Sequence, residues 1–465
     1  MLNYFPRFFS NRAIISYVVT LALTSAFFMS YAMPFQFVLF GFIPVVIFFT
    51  YATQLTMNWQ KLSERTFTKK LFTIAVVIRV ICVVIIYFYY LSTNGSPFKF
   101  GSGDDTFYAS MGRLWREYGF QETVESMKEY VEFSDRGYCW WVSFEGLLLG
   151  THVLPARIIK CFIDAFSCVL IYHLAKRNFG EQTGRMAAIF CMLMPNMWYY
   201  CGVTLKETEM TFLLILFTER ADAALHSPKI TIGNIILPGI VILTMFTFRT
   251  ALATVMMAAL MAALILSSGK QLQTWKKILY SAVFVIWMFL TVGVEMIEET
   301  QELWSAKTEN QSAGYEWRSE TNSFAKYASA SVFAPLIFTI PFSSMVATPG
   351  QENQLMMNGA NFIKNIMSGL TILALFLLLV RGDWRKYVLP IAVMMGYLVV
   401  LVFSNFAHSE RFHFPILALE LMFAAYGVTQ LTNKHKRWYV IWLIGISVAN
   451  IVWAWIKLVG RGYTV

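Results

Sequence analysis

Residues 71–92 read LFTIAVVIRVICVVIIYFYYLS, a run in which Arg79 is the one charge. A bilayer core about 30 Å thick is crossed by a helix of about 20 apolar residues. This stretch is therefore read as a transmembrane helix, and it sets the standard for the rest of the chain. Runs of the same kind predict thirteen spans, at 13–32, 35–55, 71–92, 155–175, 184–203, 207–219, 231–248, 250–267, 277–296, 361–380, 387–404, 413–431 and 438–457. The run at 207–219 is short and is expected to begin earlier.

Composition agrees. Hydrophobic types make up 57% of the 465 residues and charged types 14%, against about a quarter charged in soluble domains. Mean hydropathy is +0.56. A water-soluble enzyme, a disordered chain and a disulfide scaffold are excluded. The 6 cysteines lie mostly inside apolar runs with no CxxC or Cys/His spacing, so neither a disulfide framework nor a structural metal is expected. The first apolar run is long and lacks a small-residue cleavage site, so it is expected to stay as a span.

The net charge of +10 does not point to nucleic acid, because the basic residues sit in short clusters between spans. Arg7 and Arg12 precede the first span. Lys61, Arg65, Lys69 and Lys70 follow the second, and Lys176, Arg177 and Arg185 the fourth. Lys270, Lys276 and Lys277 follow the eighth, Arg381, Arg385 and Lys386 the tenth, and Lys434, Lys436 and Arg437 the twelfth. All fall on one side, and excess Lys and Arg marks the cytoplasmic side. The expected localisation is a bacterial inner membrane, with the N-terminus cytoplasmic and the C-terminus outside. Residues 1–60 are read as two leading helices and 61–465 as the catalytic membrane domain, with outer loops at 93–154 and 297–360 and no separate soluble domain. Within the second loop, Val332 to Val346 is apolar but broken by Pro335 and Pro341. It is read as re-entrant or interfacial.

The first outer loop carries the chemistry. From Gly103-Asp104-Asp105-Thr106-Phe107-Tyr108 onward, Phe107, Tyr108, Met111, Leu114, Trp115 and Tyr118 recur at helical spacing. One interfacial helix is expected, with Ser110, Arg113 and Glu117 on its wet side and Asp104 heading the apolar stripe. A carboxylate there suits a transferase that uses a lipid-carried sugar, since it takes the proton of an acceptor hydroxyl. Two carboxylates also suit a divalent cation, Mg or Mn, held against a phosphate. The plain alternative is helix capping, for which Asp at a helix start is well suited.

An acidic pair heading an interfacial helix, with Tyr108 following, resembles the GT-C membrane glycosyltransferases, in particular the protein O-mannosyltransferase and aminoarabinose transferase group. Two further segments resemble that group. One runs from Phe179-Gly180 through Ala187 to Tyr200, with Pro195, to Thr204-Leu205-Lys206-Glu207. The other is His408-Ser409-Glu410-Arg411-Phe412-His413-Phe414-Pro415 before a span ending in Ala425-Tyr426-Gly427. The similarity covers roughly residues 100–430. The acidic loop follows the third span here, whereas the family places it after the first. The resemblance implies an all-α, GT-C-like enzyme that moves a sugar from a polyprenyl-phosphate donor to an acceptor hydroxyl on a glycan, lipid or protein.

Ionisable residues inside apolar runs cost about 2.5–3.5 kcal/mol each on insertion scales. Arg79 and the group Arg157, Lys160 and Asp164 are read as structural, with Arg79 and Asp164 a candidate pair. Arg249, Arg411, Lys206 and His408 fall on the outer side with Asp104. They are the candidates for gripping a phosphate leaving group, for which guanidinium groups are suited. The alternative for each is an interfacial anchor or an ion pair with Glu207, Glu295 or Glu410. Asp104 and then Asp105 are the candidate catalytic and metal-binding carboxylates. Tyr108, Glu207, Trp141 and His413 are candidate donor or acceptor contacts, although Trp140 and Trp141 also suit an aromatic belt. Two rival readings remain. One is a polysaccharide polymerase or O-antigen ligase with a diphosphate-linked donor, relying on the loop at 297–360. The other is a flippase or transporter with Arg79, Arg157, Lys160 and Asp164 lining a path.

Overall fold

The computed structural model describes residues 2–101, 103–226, 232–266, 334–404, 407–432 and 435–463. Among these, 17 α-helices form and no strand does. They are α1 (Arg7–Phe27), α2 (Phe35–Asn58), α3 (Glu64–Asn94), α4 (Gly103–Met111), α5 (Leu114–Tyr130), α6 (Phe133–Leu149), α7 (Val153–Phe179), α8 (Glu181–Leu193) and α9 (Pro195–Cys201). There follow α10 (Glu207–His226), α11 (Ile232–Phe246), α12 (Thr250–Leu266), α13 (Glu352–Met356), α14 (Asn358–Val380), α15 (Val388–Val402), α16 (Glu410–Gln430) and α17 (Lys436–Gly460). Six of them, α2, α3, α7, α14, α16 and α17, are long and apolar enough to cross a membrane. The chain is an all-α polytopic membrane protein. Twelve of the predicted spans fall on described helices. The ninth, 277–296, and the loop from 297 to 333, with Glu295 before it, lie outside the described residues.

Local chemistry fixes the ends of these helices. Ser63 caps α3 by accepting from the Thr66 amide at 3.3 Å. Gly95 ends it in the left-handed conformation, φ 67°. Lys176 and Arg177 occupy the last turn of α7, where cations complement the helix dipole.

Three expectations are corrected. The predicted span 184–203 is two helices. Pro195 has no amide to donate and disfavours helix at Met194, so α8 stops and α9 restarts with the proline in its first turn. The span read at 207–219 does not begin earlier. It runs on to His226, because Glu219 and Asp222 are buried against Arg177, with the Asp222 contact at 2.9 Å. The interfacial helix predicted through Tyr118 is broken after Met111. Gly112 and Gly146 pack backbone to backbone, so close that a Cβ on Gly146 would sit 1.8 Å from the Gly112 carbonyl. Tyr118 is left exposed.

The bundle has two chemically distinct ends. At one, Arg185 donates to the Gln60 and Leu62 carbonyls (3.3 and 2.7 Å), Lys176 pairs with Glu64 (2.7 Å) and Arg381 donates to Gln430 (2.8 Å). This is the end that gathers the described basic clusters. At the other end lie α4–α6, α9 and the segment 334–351. Apart from a 3-10 turn at 334–336 that segment is irregular, yet it is largely buried. It reaches as deep as Asn365 and Ser368, two turns into α14, and returns at Ala347 to the Tyr31 carbonyl at 2.9 Å. Irregular backbone at membrane depth needs partners from protein. Asn365 donates to the Thr339 and Pro341 carbonyls, Lys364 to that of Ile340, and the Ser343 amide bonds to Asn450 at 2.6 Å.

Candidate active site

The break at Pro195 leaves residues 202–206 unwound between α9 and α10. Their backbone groups must find partners. Lys160 donates to the Val203 carbonyl at 2.9 Å and to that of Leu205. The Thr204 amide donates to Asp105 at 2.7 Å, and the Lys99 amide donates to the other Asp105 oxygen at 3.0 Å. Arg157 completes the knot. It donates to the Pro97 carbonyl (2.8 Å) and the Thr204 hydroxyl (3.2 Å), and lies 3.5 Å from Asp105. Arg157 and Lys160 are thus structural, as their placement inside a span suggested. The fully buried Asp105 ties the start of α4 to the unwound strand. Asp105, not Asp104, heads the buried face of α4.

Asp104 points the other way and is 57% exposed. Its carboxylate meets the Arg411 guanidinium at the start of α16. Arg411 also pairs with Glu207, the first residue of α10, and Arg249 in the α11–α12 turn lies 4.0 Å from the same Glu207 oxygen. Four residues from four distant parts of the sequence therefore form one alternating chain of charge. Arg249 is the loosest member. It donates to the Tyr397 hydroxyl at 3.2 Å and stacks over the Phe412 ring at 4.5 Å. Glu207 is fully buried, and its second oxygen has no hydrogen-bond partner among the described residues.

Lys206 is next to this cluster but engaged elsewhere. It pairs with Asp135 and donates to the carbonyls of Phe248 (2.6 Å) and Ser134 (3.1 Å). It thereby clamps the start of α6 to the turn that carries Arg249. The Gly137 amide reinforces this with a 2.9 Å bond to the Thr247 carbonyl, at an approach so close that a Cβ would meet the Thr247 hydroxyl at 2.1 Å. Tyr108 is buried against Tyr138, and burial, then Asp135, keeps its hydroxyl protonated well above the usual range. His413 is turned inward, bonded to the Ala407 carbonyl at 2.7 Å and to Lys364 at 3.1 Å. His408 sits half-buried in the turn before α16. Trp141 faces a separate cavity beside α6. The sequence reading missed Asp135, Tyr138, Tyr397 and Phe412, whose roles come only from tertiary contact.

The donor set does not fit a cation held between Asp104 and Asp105. Their carboxylates diverge, one to Arg411 and one to two backbone amides. Among the described residues no group of three or more His, Cys, Asp or Glu side chains converges as a metal site. The cluster instead offers an accessible carboxylate beside two guanidinium groups, a geometry suited to deprotonating a hydroxyl next to a departing phosphate.

A first prediction separates the two aspartates. Asp105→Ala removes the acceptor of two amides and the carboxylate facing Arg157. Breaking a buried pair typically costs about 3–5 kcal/mol. The expected result is a clear drop in the unfolding temperature of the detergent-solubilised protein. Unchanged stability would mean that the unwound strand is held by other contacts.

Residues 355–465, from α13 through α17, match the model of the Alg9-like mannosyltransferase family. This is a GT-C-type family that works with lipid-linked sugars, the type expected from the acidic pair and the His408–Pro415 segment. No curated protein matches the chain. The matched segment contains His408, Arg411 and His413, while Asp104, Glu207 and Arg249 come from the part before it. Together with the all-helical membrane architecture, the match supports a membrane glycosyltransferase that uses a lipid-linked donor.

Proposed function

We propose that the protein transfers a hexose, mannose in the first instance, from a polyprenyl-phosphate donor to a hydroxyl of a glycan acceptor. The observation that carries this reading is the convergence of Asp104 with Arg411, Glu207 and Arg249 at the end of the bundle away from the basic loops. By the charge rule that end faces outside and the basic end faces the cytoplasm, as in a bacterial inner membrane.

In this reading the acceptor oxygen attacks the anomeric carbon as its proton passes to Asp104. The bond from that carbon to the phosphate oxygen breaks, and the electron pair leaves with the polyprenyl phosphate. A single displacement of this kind inverts the anomeric centre. Arg411 and Arg249 hold the departing charge, the type of contribution that lowers such barriers most. Without donor, Arg411 occupies an Asp104 oxygen. A phosphate drawn to Arg411 competes for the same N–H groups and frees that carboxylate to accept a proton. Glu207 pairs with Arg411 and faces Arg249, and so holds the two guanidinium groups together. Charge on the leaving group is met by guanidinium groups, and no step passes through a metal.

The transporter reading is disfavoured by a specific observation. The charges that would line its path are consumed, Arg79 by Asp164, Arg157 by Asp105 and Lys160 by backbone carbonyls. The deciding experiment supplies the purified protein with radiolabelled polyprenyl-phosphate mannose or a diphosphate-linked oligosaccharide, with a glycan acceptor in each case. Label is expected to move only from the monophosphate donor. Transfer only from the diphosphate donor would replace this reading with the polymerase or ligase one.

A further inference from the structure

An open cavity of about 470 Å³ is bordered by α5, α6, α7, α10, α11 and the α11–α12 turn. That volume is within the range of small-molecule sites, roughly 300–1,000 Å³. Its walls include Trp115, Trp140, Trp141, Phe144 and Phe248, with the Trp115 and Trp140 rings edge to face at 5.6 Å. One carboxylate, that of Glu209, is part of the wall. Its side chain is 6% exposed, and its Oε1 has no hydrogen-bond partner among the described residues. One of its oxygens forms a buried ion pair with Lys160 at 3.5 Å, and Lys160 also donates to two backbone carbonyls. Next to Trp141, burial and then Glu209 push the Glu145 carboxyl up to about 8, so a second acid lies behind the same wall.

We propose that this cavity is an accessory glycan subsite, which packs the C–H faces of a pyranose ring on its aromatic wall and takes ring hydroxyls at Glu209. The inference rests on the transferase reading above and assigns the place of the acceptor unit behind the one that reacts. Two observations favour a sugar over a prenyl chain. Lys160 compensates one Glu209 oxygen and leaves the other without a hydrogen-bond partner among the described residues, and such a buried oxygen is unfavourable; a sugar supplies hydroxyl donors to it, and a hydrocarbon supplies none. The wall is also dominated by aromatic rings rather than by branched aliphatic side chains. Position agrees as well. Tyr138 packs against Tyr108, at 4.9 Å, and against Phe248 of the cavity wall, at 6.1 Å.

The test is intrinsic tryptophan fluorescence of the full chain in detergent, titrated with mannobiose and separately with farnesyl phosphate. Mannobiose is expected to give a saturable change. Its affinity should fall about tenfold in Glu209→Gln, as when a charged acceptor is exchanged for a neutral one, in protein whose folding is checked by its unfolding temperature, since the variant also removes the charge facing Lys160. Trp141→Leu is the second variant and should weaken mannobiose in the same way. Asp104→Asn should bind mannobiose like the unaltered protein. A catalytic failure of the transferase reading is thus told apart from failure of the subsite. The proposal is overturned if only farnesyl phosphate gives a saturable response, which makes the cavity a lipid-chain site. It is equally overturned if mannobiose gives none, or binds with an affinity indifferent to both variants.

Discussion

Asp104→Asn is expected to fold normally and to lose most of its transfer rate. General-base catalysis contributes roughly 10²–10⁴-fold, and the loss should fall on kcat rather than on donor KM. The side chain is more than half exposed, and its described partner is Arg411, so the amide removes a proton acceptor without opening a buried hole. Arg411→Lys should behave differently. Lysine keeps the charge but cannot bridge Asp104 and Glu207 as a planar fork does, so donor KM should rise together with a fall in kcat. The two variants are read from initial rates against donor concentration with a fixed glycan acceptor. Full activity in purified, folded Asp104→Asn would remove the base from the mechanism and leave the cluster as an ion-pair clasp.

The parts of this site that were legible in the sequence are those fixed by residue type and membrane side. Glu207, Arg249 and Arg411 stand at the outer ends of predicted spans and Asp104 heads the helix expected in the first outer loop, and polar chemistry at such places needs a reason. Local signals set three of these four places, the glycine-rich turn before α4, the unwound stretch after Pro195 and the short α11–α12 turn. What the sequence could not show is which carboxylate each cation chooses. Lys206 stood among the phosphate candidates, yet Asp135, 71 positions away, takes it. Asp105 stood beside Asp104 as a second base, but the backbone released by Pro195 claims its oxygens, a demand visible only once the strand is seen to unwind. His413 was placed among substrate contacts by its proximity to Arg411. On a helix the two point apart, and His413 bonds to Lys364 instead. Periodicity located the spans well and failed where backbones touch, at Gly112 and Gly146, because a missing side chain leaves no trace in an apolar pattern.

A large effect on stability is expected at Arg79 and Asp164. Both side chains are fully buried, in α3 and α7. Besides Asp164, Arg79 donates to the Ala75 carbonyl (3.2 Å) and to those of Cys191 and Met192 (both 3.4 Å), so one guanidinium fastens α3 to α7 and α8. Arg79→Met strands a buried carboxylate and Asp164→Leu strands a buried guanidinium. Each should cost about 3–5 kcal/mol, whereas the double variant, with apolar groups of similar volume, should lie near neutral or gain stability. Thermal unfolding of the four proteins in one detergent measures the cycle, and additive single effects would show that the pair is not coupled. The same double variant also separates the functional classes. A transferase needs these residues only as a frame that keeps Arg157, two turns away on α7, in place behind Asp105. It should therefore retain its rate once stability is restored. A transporter that moves its cargo past the pair would lose flux in a protein that is as stable as before.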